Sequence, residues 1–287
     1  MFLQAAVLSN ILLVPALGQQ TPAQINSCHK DSFIFPEVAG AELIGITAHK
    51  VTNYTHFSVT PGVLTPASFT IDFCNVTVSY THPGWDDMVN ANIWLPLHEW
   101  NGRFYALGGG GYSVGFGPMY MTKAVATGFA AVQSDGGVGL GFEAALSPKA
   151  WALASRGNVN LHNLENYASR GVFEMTFIGK AITESYYGRK PTYSYFAGCS
   201  GGGRQALMVA QRLPEEYDGI LAAAPAANIE NFIPAGWWGQ HTMYQLGAYP
   251  SACEIDSFTQ AAMEACDELD GVKDGVISAP ESCAEFR

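Results

Sequence analysis

Residues 193–204 read Tyr-Ser-Tyr-Phe-Ala-Gly-Cys-Ser-Gly-Gly-Gly-Arg and give the strongest indication of the fold. Three of the first five residues are aromatic, as suits a strand, and the residues from Arg204 onward suit a helix. The residues from Gly198 to Gly202 fit G-x-S-x-G, the pattern of a sharp strand–turn–helix elbow that exposes a serine nucleophile. The alternative is a small-residue turn that only packs. The flanking strand and helix favour Ser200 as a nucleophile.

Elsewhere the chain changes pattern near residue 90. Residues 33–80 alternate apolar and polar side chains, which predicts antiparallel strands. Later elements alternate between strand and helix, which predicts an α/β-hydrolase fold with a mostly parallel sheet flanked by helices. The predicted strands are Ala91–Leu95, Arg103–Leu107, Phe129–Gln133, Tyr193–Ala197 and Ile220–Ala224, and the predicted helices are Leu164–Tyr187 and Arg204–Leu213.

The composition indicates a secreted globular protein. An apolar run that ends in small residues predicts a signal peptide at residues 1–18; the alternative is a buried N-terminal helix or a membrane anchor, for which the run is short. The core is predicted over residues 19–230, because the composition changes after Pro225. No later run is apolar for long enough to cross a bilayer. The formal net charge of −11 argues against nucleic acid or an anionic membrane surface as a partner and favours a neutral or sugar-linked substrate. Secretion makes the six cysteines candidates for disulfides, and Asn53 and Asn75 begin N-glycosylation sequons.

A serine nucleophile needs amides that stabilise the oxyanion of its tetrahedral intermediate. The amide of Gly201, at the start of the following helix, is one candidate donor. The second should come from the loop after an earlier strand, and residues 108–111 are four glycines directly after a predicted strand. We predict that Gly109 and Gly110 supply it. The spacing excludes the common nucleotide-phosphate loops. The remaining alternative is a tight turn with a purely structural role.

An acidic cluster between Cys266 and Cys283 predicts a bound calcium ion. Three aspartates alternate with glycines there, and carboxylate and carbonyl oxygens are the ligands that calcium prefers. The spacing is not that of an EF-hand. The alternative is a solvated acidic turn.

The histidines do not provide an obvious catalytic base. A serine nucleophile needs one, and in the order typical of this elbow the histidine follows the serine. Only His241 follows Ser200, and it precedes any strand that could present it. The six earlier histidines are more simply surface or packing residues: His29, His49, His56, His82, His98 and His162.

Four segments together resemble the N-terminal half of fungal secreted members of the tannase/feruloyl esterase family. They are Trp100–Phe104 leading into Gly108–Gly111, Tyr195–Gln205, Tyr217–Ile220 before Ala224–Ala226, and Cys266–Asp274. The resemblance implies a serine esterase that hydrolyses phenolic-acid esters, such as feruloyl groups on plant cell-wall sugars or galloyl groups of tannins, with Ser200 as the nucleophile.

The same resemblance implies the remaining site residues. Residues 231–287 would begin a calcium-binding lid domain. The calcium ligands would be side chains of Asp267, Asp270 and Asp274 and carbonyls of Val272 and Val276. The disulfides would be Cys28–Cys74 and Cys266–Cys283, and Cys199 would match a cysteine that bridges to a neighbour of the catalytic histidine.

The chain departs from this family in one respect. The catalytic aspartate, the histidine and the cysteine partner of Cys199 lie further on in the family, and Cys253 has no assigned partner. We therefore expect a fragment or truncated product that is inactive or nearly so. The competing interpretation is a calcium-stabilised pseudo-hydrolase that binds aryl esters or glycans without turnover. The sequence does not distinguish feruloyl from galloyl substrates.

Overall fold

The computed structural model describes residues 27–283, so the predicted signal peptide at residues 1–18 lies outside the described residues. The chain divides into two compact units, one ending at Ala227 and one beginning at Asn228. The strands are β1 (Glu42–Thr60), β2 (Val63–Thr81), β3 (Val89–Pro96), β4 (Arg103–Leu107), β5 (Ala130–Ser134), β6 (Leu153–Ser155), β7 (Asn158–Val159), β8 (Tyr193–Cys199) and β9 (Gly219–Ala223). The α-helices are α1 (Pro118–Ala126), α2 (Gly141–Leu146), α3 (Leu161–Glu165), α4 (Gly171–Tyr187), α5 (Gly201–Arg212), α6 (Ile229–Leu246) and α7 (Ala252–Cys266).

The first unit contains a seven-stranded sheet in the order β1-β2-β3-β5-β4-β8-β9, and β6 and β7 form a separate hairpin. The neighbours β5-β4, β4-β8 and β8-β9 are parallel. The other three neighbouring pairs are antiparallel. The α/β class is confirmed, but the sheet is mixed rather than mostly parallel. The reason is that β1 and β2 form a long hairpin, to which β3 adds in the antiparallel sense.

Helices cover both faces of the sheet. Ala131 of β5 packs in one apolar cluster with Met121 and Ala124 of α1. Its neighbour Val132 faces the other way, where α4 approaches so closely that a Cβ added at Gly179 would lie 2.9 Å from Val132 Cγ2. Because successive side chains of a strand point to opposite faces, α1 and α4 lie on opposite sides. Helix α5 packs against β8 and β9.

The predicted elements differ from the observed ones mainly at their ends. Strand β4 has the predicted bounds, Arg103–Leu107. The predicted helix Leu164–Tyr187 is divided, since a π-helical turn at Asn166–Arg170 separates α3 from α4. Helix α5 begins at Gly201 rather than Arg204, because the turn at the serine starts the helix before residues with high helix propensity are reached.

A buried polar network ties the sheet to α4. Both ring nitrogens of His82 face carboxylates, with Nδ1 2.6 Å from Asp87 Oδ2 and Nε2 2.9 Å from Glu174 Oε1. Arg170 Nε donates to the same Glu174 oxygen at 2.7 Å, and Asn166 Nδ2 donates to Asp87 Oδ2 at 2.7 Å. Burial alone would raise the pKa of Asp87, but the hydrogen bonds from His82 and Asn166 outweigh it and lower that pKa.

The second unit consists of two helices and an acidic loop. Pro234 lies inside α6. Helix α7 begins at a capping box, in which the Glu254 carboxylate accepts hydrogen bonds from the amide and hydroxyl of Ser251 at 2.7 and 2.8 Å. A disulfide between Cys266 and Cys283 closes the loop that follows α7.

Candidate active site

Ser200 occupies a strained turn between β8 and α5. Its backbone angles are φ 58° and ψ −117°, a conformation that residues with a Cβ rarely adopt. The neighbouring glycines are required by close backbone contact: a Cβ at Gly198 would lie 2.2 Å from Gly202 O, and a Cβ at Gly202 would lie 2.5 Å from Gly109 O. Ser200 itself is exposed. The turn therefore presents a serine at the surface and surrounds it with small residues.

Backbone hydrogen bonds from the segment after β9 hold this turn. The Ser200 amide donates to Ala223 O at 3.1 Å, and the Ala226 amide donates to Ser200 O at 2.9 Å. The intervening Ala224 also has a positive φ of 37°. Two strained residues thus lie on facing segments, and each segment restrains the other.

The glycine loop after β4 lies against the start of α5. A Cβ at Gly201 would lie 3.0 Å from Gly111 N, and a Cβ at Gly108 would lie 3.1 Å from Gly202 Cα. Gly201 is the first residue of α5, so its amide has no acceptor within the helix. The two segments predicted to line one site are therefore in contact.

Most amides of this loop already donate hydrogen bonds. The acceptors are Ala197 O for Gly108, Gln205 Oε1 for Gly109, Ser113 O for Gly110 and Ala145 O for Tyr112. Within residues 27–283, the amide of Gly111 donates no hydrogen bond. Gly109 and Gly110, the predicted oxyanion donors, would have to leave their acceptors at 3.0 and 3.2 Å to bind a substrate oxygen. The Gly111 amide needs no such change.

The catalytic base is not assembled in the described part of the chain. No hydrogen bond joins the Ser200 hydroxyl to a side chain there. His82 is 2% exposed with both ring nitrogens bound to carboxylates, so it cannot accept a proton from a serine. His241 lies against Trp237 and Trp238 in the second unit, with its ring tilted to both and ring centroids 4.5 and 5.6 Å apart.

The cysteines form two disulfides, Cys28–Cys74 and Cys266–Cys283, the same pairs that the resemblance implies. Cys199 is free and half-buried beside Ser200, and Cys253 is free and exposed. No partner for Cys199 therefore lies within the described residues.

The aspartates of the acidic loop bind backbone amides of the same loop. Asp267 Oδ1 accepts from the amides of residues 274 and 275 at 3.3 and 3.0 Å, and Asp274 Oδ1 accepts from Val276 at 3.0 Å. Amides of Val272 and Ser278 donate to Asp270, and these bonds lower its pKa. Among the residues described, no group of three or more acidic, histidine or cysteine side chains is arranged to hold a metal. The oxygen donors suit calcium chemically.

The two sequons lie on neighbouring strands. Asn53 is exposed in β1, at an irregularity in the pairing with β2, and its amide donates to Asp72 Oδ1 at 2.7 Å. Asn75 is half-buried in β2. In addition, no helix within residues 27–283 is long and apolar enough to span a membrane.

An α/β sheet with a strained serine between a strand and a helix, beside a glycine-rich loop, is the arrangement found in the α/β-hydrolase fold. A family model described as "Tannase and feruloyl esterase" matches residues 74–287. The chain therefore belongs to the tannase and feruloyl esterase family of carboxylic ester hydrolases.

Individual relatives are consistent with this family. A probable feruloyl esterase of Arthroderma benhamiae is 39% identical over 279 residues, which cover 96% of this chain and 51% of that protein. A tannase of Aspergillus oryzae is 36% identical over 220 residues, covering 75% of this chain and 36% of that protein. The structure of tannin acyl hydrolase from Aspergillus niger matches with a TM-score of 0.74 and 31% identity, over 90% of this chain and 47% of that one. The chain thus spans about half the length, or less, of these relatives.

Proposed function

We propose that Ser200 is the nucleophile of a carboxylic ester hydrolase that acts on phenolic-acid esters through an acyl-enzyme. Its hydroxyl oxygen would attack the ester carbonyl carbon while a base takes the hydroxyl proton. The tetrahedral intermediate would then expel the alcohol, which receives that proton, and leave the acyl group on Ser200. Water would release the acid by the same steps. The observation that carries this proposal is the strained, exposed position of Ser200.

We further propose that the amides of Gly201 and Gly111 stabilise the oxyanion. Both belong to backbone segments that meet beside Ser200. Within the described residues neither amide has a hydrogen-bond acceptor, whereas the amides of Gly109 and Gly110 each have one. Preorganised donors of this kind cost no rearrangement when charge develops. This assignment replaces Gly110 and Gly109 by Gly111 and keeps Gly201.

The base is proposed to come from outside the described residues. Family resemblance implies an aspartate and a histidine further along the polypeptide, with Cys199 bridging to a cysteine beside that histidine. Without such a base, the hydroxyl of Ser200 is a weak nucleophile at neutral pH. We therefore expect the 287-residue chain alone to hydrolyse esters very slowly or not at all.

Esters of ferulic or gallic acid are the proposed substrates. Relatives of this chain carry the names feruloyl esterase and tannase, and the net charge of −11 suits a neutral or sugar-linked ester. The test is hydrolysis of methyl ferulate and methyl gallate by the product of the complete transcript. Activity on at least one ester is expected, and Ser200→Ala should lower kcat by about 10⁴-fold or more. Activity on neither ester would contradict the proposal.

A second candidate function is a pseudo-hydrolase that binds aryl esters or glycans without turnover. It is favoured by one observation: the Ser200 hydroxyl has no base among residues 27–283. A transcript that stops after the codon for Arg287, with aryl-ester binding but no hydrolysis, would support it. A longer transcript that encodes an aspartate and a His-Cys pair would favour the esterase.

The extracellular setting also remains a proposal. Two disulfides suit an oxidising compartment, and N-glycosylation at Asn53 and Asn75 would follow from secretion. Calcium would be a structural ion of the acidic loop, held by carboxylate and carbonyl oxygens of residues 267–276. Mass spectrometry of the secreted protein before and after glycosidase treatment tests the sugars at both asparagines.

A further inference from the structure

Tyr167 lies buried beside the glycine loop and bonds directly to it. The residue is 4% exposed, and its hydroxyl donates to Gly111 O at 2.8 Å. It belongs to the π-helical turn between α3 and α4, a feature that occurs frequently at functional sites. In the sequence pattern this tyrosine is one apolar position of the predicted helix Leu164–Tyr187.

This hydrogen bond fixes the peptide that follows Gly111. The carbonyl end of that peptide accepts from Tyr167, and its amide end, at Tyr112, donates to Ala145 O at 3.0 Å. Both ends are therefore held. The Gly111 amide itself belongs to the preceding peptide, whose carbonyl, Gly110 O, accepts from the Ser113 amide at 3.0 Å. Because glycine backbones rotate readily, bonds on both peptides are needed to hold Gly111 at its φ of +53° and so to fix the direction of its amide beside Gly201.

Helix α5 holds the Tyr167 ring from its face. The guanidinium of Arg204 lies over the ring, 4.8 Å from its centroid. The ring centroids of Trp151 and Tyr167 are 5.2 Å apart. Arg204 is four residues after Ser200, so the tyrosine links the helix of the nucleophile to the loop. Burial raises the pKa of Tyr167 and the nearby Arg204 opposes this shift, so the hydroxyl is a protonated donor at neutral pH.

We infer that Tyr167 is a positioning residue for ester hydrolysis: it orients the Gly111 amide toward the oxyanion that forms on attack by Ser200. This inference rests on the proposed function. Tyr167 touches no reacting atom and transfers no proton. Its contribution is to hold the loop so that the donor is already directed when charge develops.

The test compares Tyr167→Phe with a matched control in the product of the complete transcript. Tyr187 is 1% exposed and its hydroxyl donates to Pro96 O at 2.8 Å, so Tyr187→Phe removes the same kind of bond from another part of the fold. Each variant should lower the urea midpoint of unfolding by a similar small amount. Tyr167→Phe should lower kcat about 10- to 100-fold with KM unchanged, whereas Tyr187→Phe should leave kcat unchanged.

Two further readouts separate positioning from general destabilisation. An aryl boronic acid forms a tetrahedral adduct on a serine nucleophile, so its affinity should fall in Tyr167→Phe by the same factor as kcat/KM. Arg204→Lys keeps the Tyr167 hydroxyl but removes the planar group from the ring face, so kcat should also fall, by a smaller factor. If Tyr167→Phe does not fold, Arg204→Lys serves as the test: a lower kcat supports the positioning role, and an unchanged kcat contradicts it.

The outcomes distinguish this inference from the proposed function. If Tyr167→Phe retains full kcat, or if Tyr187→Phe lowers kcat equally, the positioning role is wrong while Ser200→Ala can still be inactive. In the crystal structure of a phosphonate adduct, the phosphonyl oxygen should lie about 2.7–3.1 Å from the amides of Gly111 and Gly201. Contacts to Gly109 or Gly110 instead would overturn it. A product that hydrolyses neither ester removes both proposals.

Discussion

Glycine at position 200 is expected to give a more stable protein than alanine at the same position. The backbone of Ser200, at φ 58° and ψ −117°, lies in a region where any residue with a Cβ is strained by about 1–3 kcal/mol. Alanine keeps that strain and glycine removes it. Both substitutions delete the hydroxyl, so the comparison between them isolates the backbone.

The size of the difference follows from two opposing effects. Glycine gains about 1–3 kcal/mol by relieving strain and loses about 0.5–1 kcal/mol because its unfolded chain has more freedom. The free energy of unfolding of Ser200→Gly should therefore be about 0.5–2 kcal/mol greater than that of Ser200→Ala. Ala210, exposed in α5, is the matched control. There, Ala210→Gly should lower stability by about 1 kcal/mol, the opposite sign.

Urea unfolding followed by circular dichroism measures both differences. The m value should stay constant across the variants, so that shifts in midpoint report free energies. If glycine is less stable than alanine at position 200 by the amount found at position 210, the turn is not strained. In that case the fold does not hold the Ser200 backbone in a strained conformation.

Three further perturbations test the fold and the ion. Asp87→Asn should lower stability by about 1.5–3 kcal/mol at pH 7, because His82 Nδ1 and Asn166 Nδ2 lose a charged hydrogen-bond acceptor. The lowered pKa of Asp87 means that this stabilisation is present above about pH 4 and is lost as the pH falls through the folded-state pKa. In urea titrations, a stability difference between the wild-type protein and Asp87→Asn that persists below that pKa contradicts this. Replacing Cys28 and Cys74 by serine opens a link across 46 residues and should cost about 4 kcal/mol in thermal unfolding, so a negligible loss would refute it. Added calcium should raise the unfolding temperature, and Asp267→Asn should abolish that rise; no response to calcium or chelator contradicts the proposed ion.

The sequence was most informative where local chemistry decides the structure. The elbow at Ser200 was predictable because strand, glycines and helix follow one another within a few residues. The bounds of β4 were also predicted to the residue. Sheet direction was less predictable, because the antiparallel pairing of β3 with β5 joins segments that the chain does not bring together locally.

The proposed oxyanion donor, Gly111, could be chosen only from the structure. Four consecutive glycines are chemically equivalent in the sequence. Their amides differ in the acceptors that the fold brings to them, and two of these acceptors, Ala197 O for Gly108 and Gln205 Oε1 for Gly109, come from distant segments. The same reason explains Tyr167, whose π-helical turn has no pattern distinct from a continuous helix.

The most direct test of the central claim is to find the acyl group. The product of the complete transcript is mixed with methyl ferulate or methyl gallate, quenched in acid, and digested for peptide mass mapping. We expect a feruloyl or galloyl mass on the peptide that contains Ser200, and none in Ser200→Ala. An acyl group on another residue, or undiminished hydrolysis by Ser200→Ala, would contradict it.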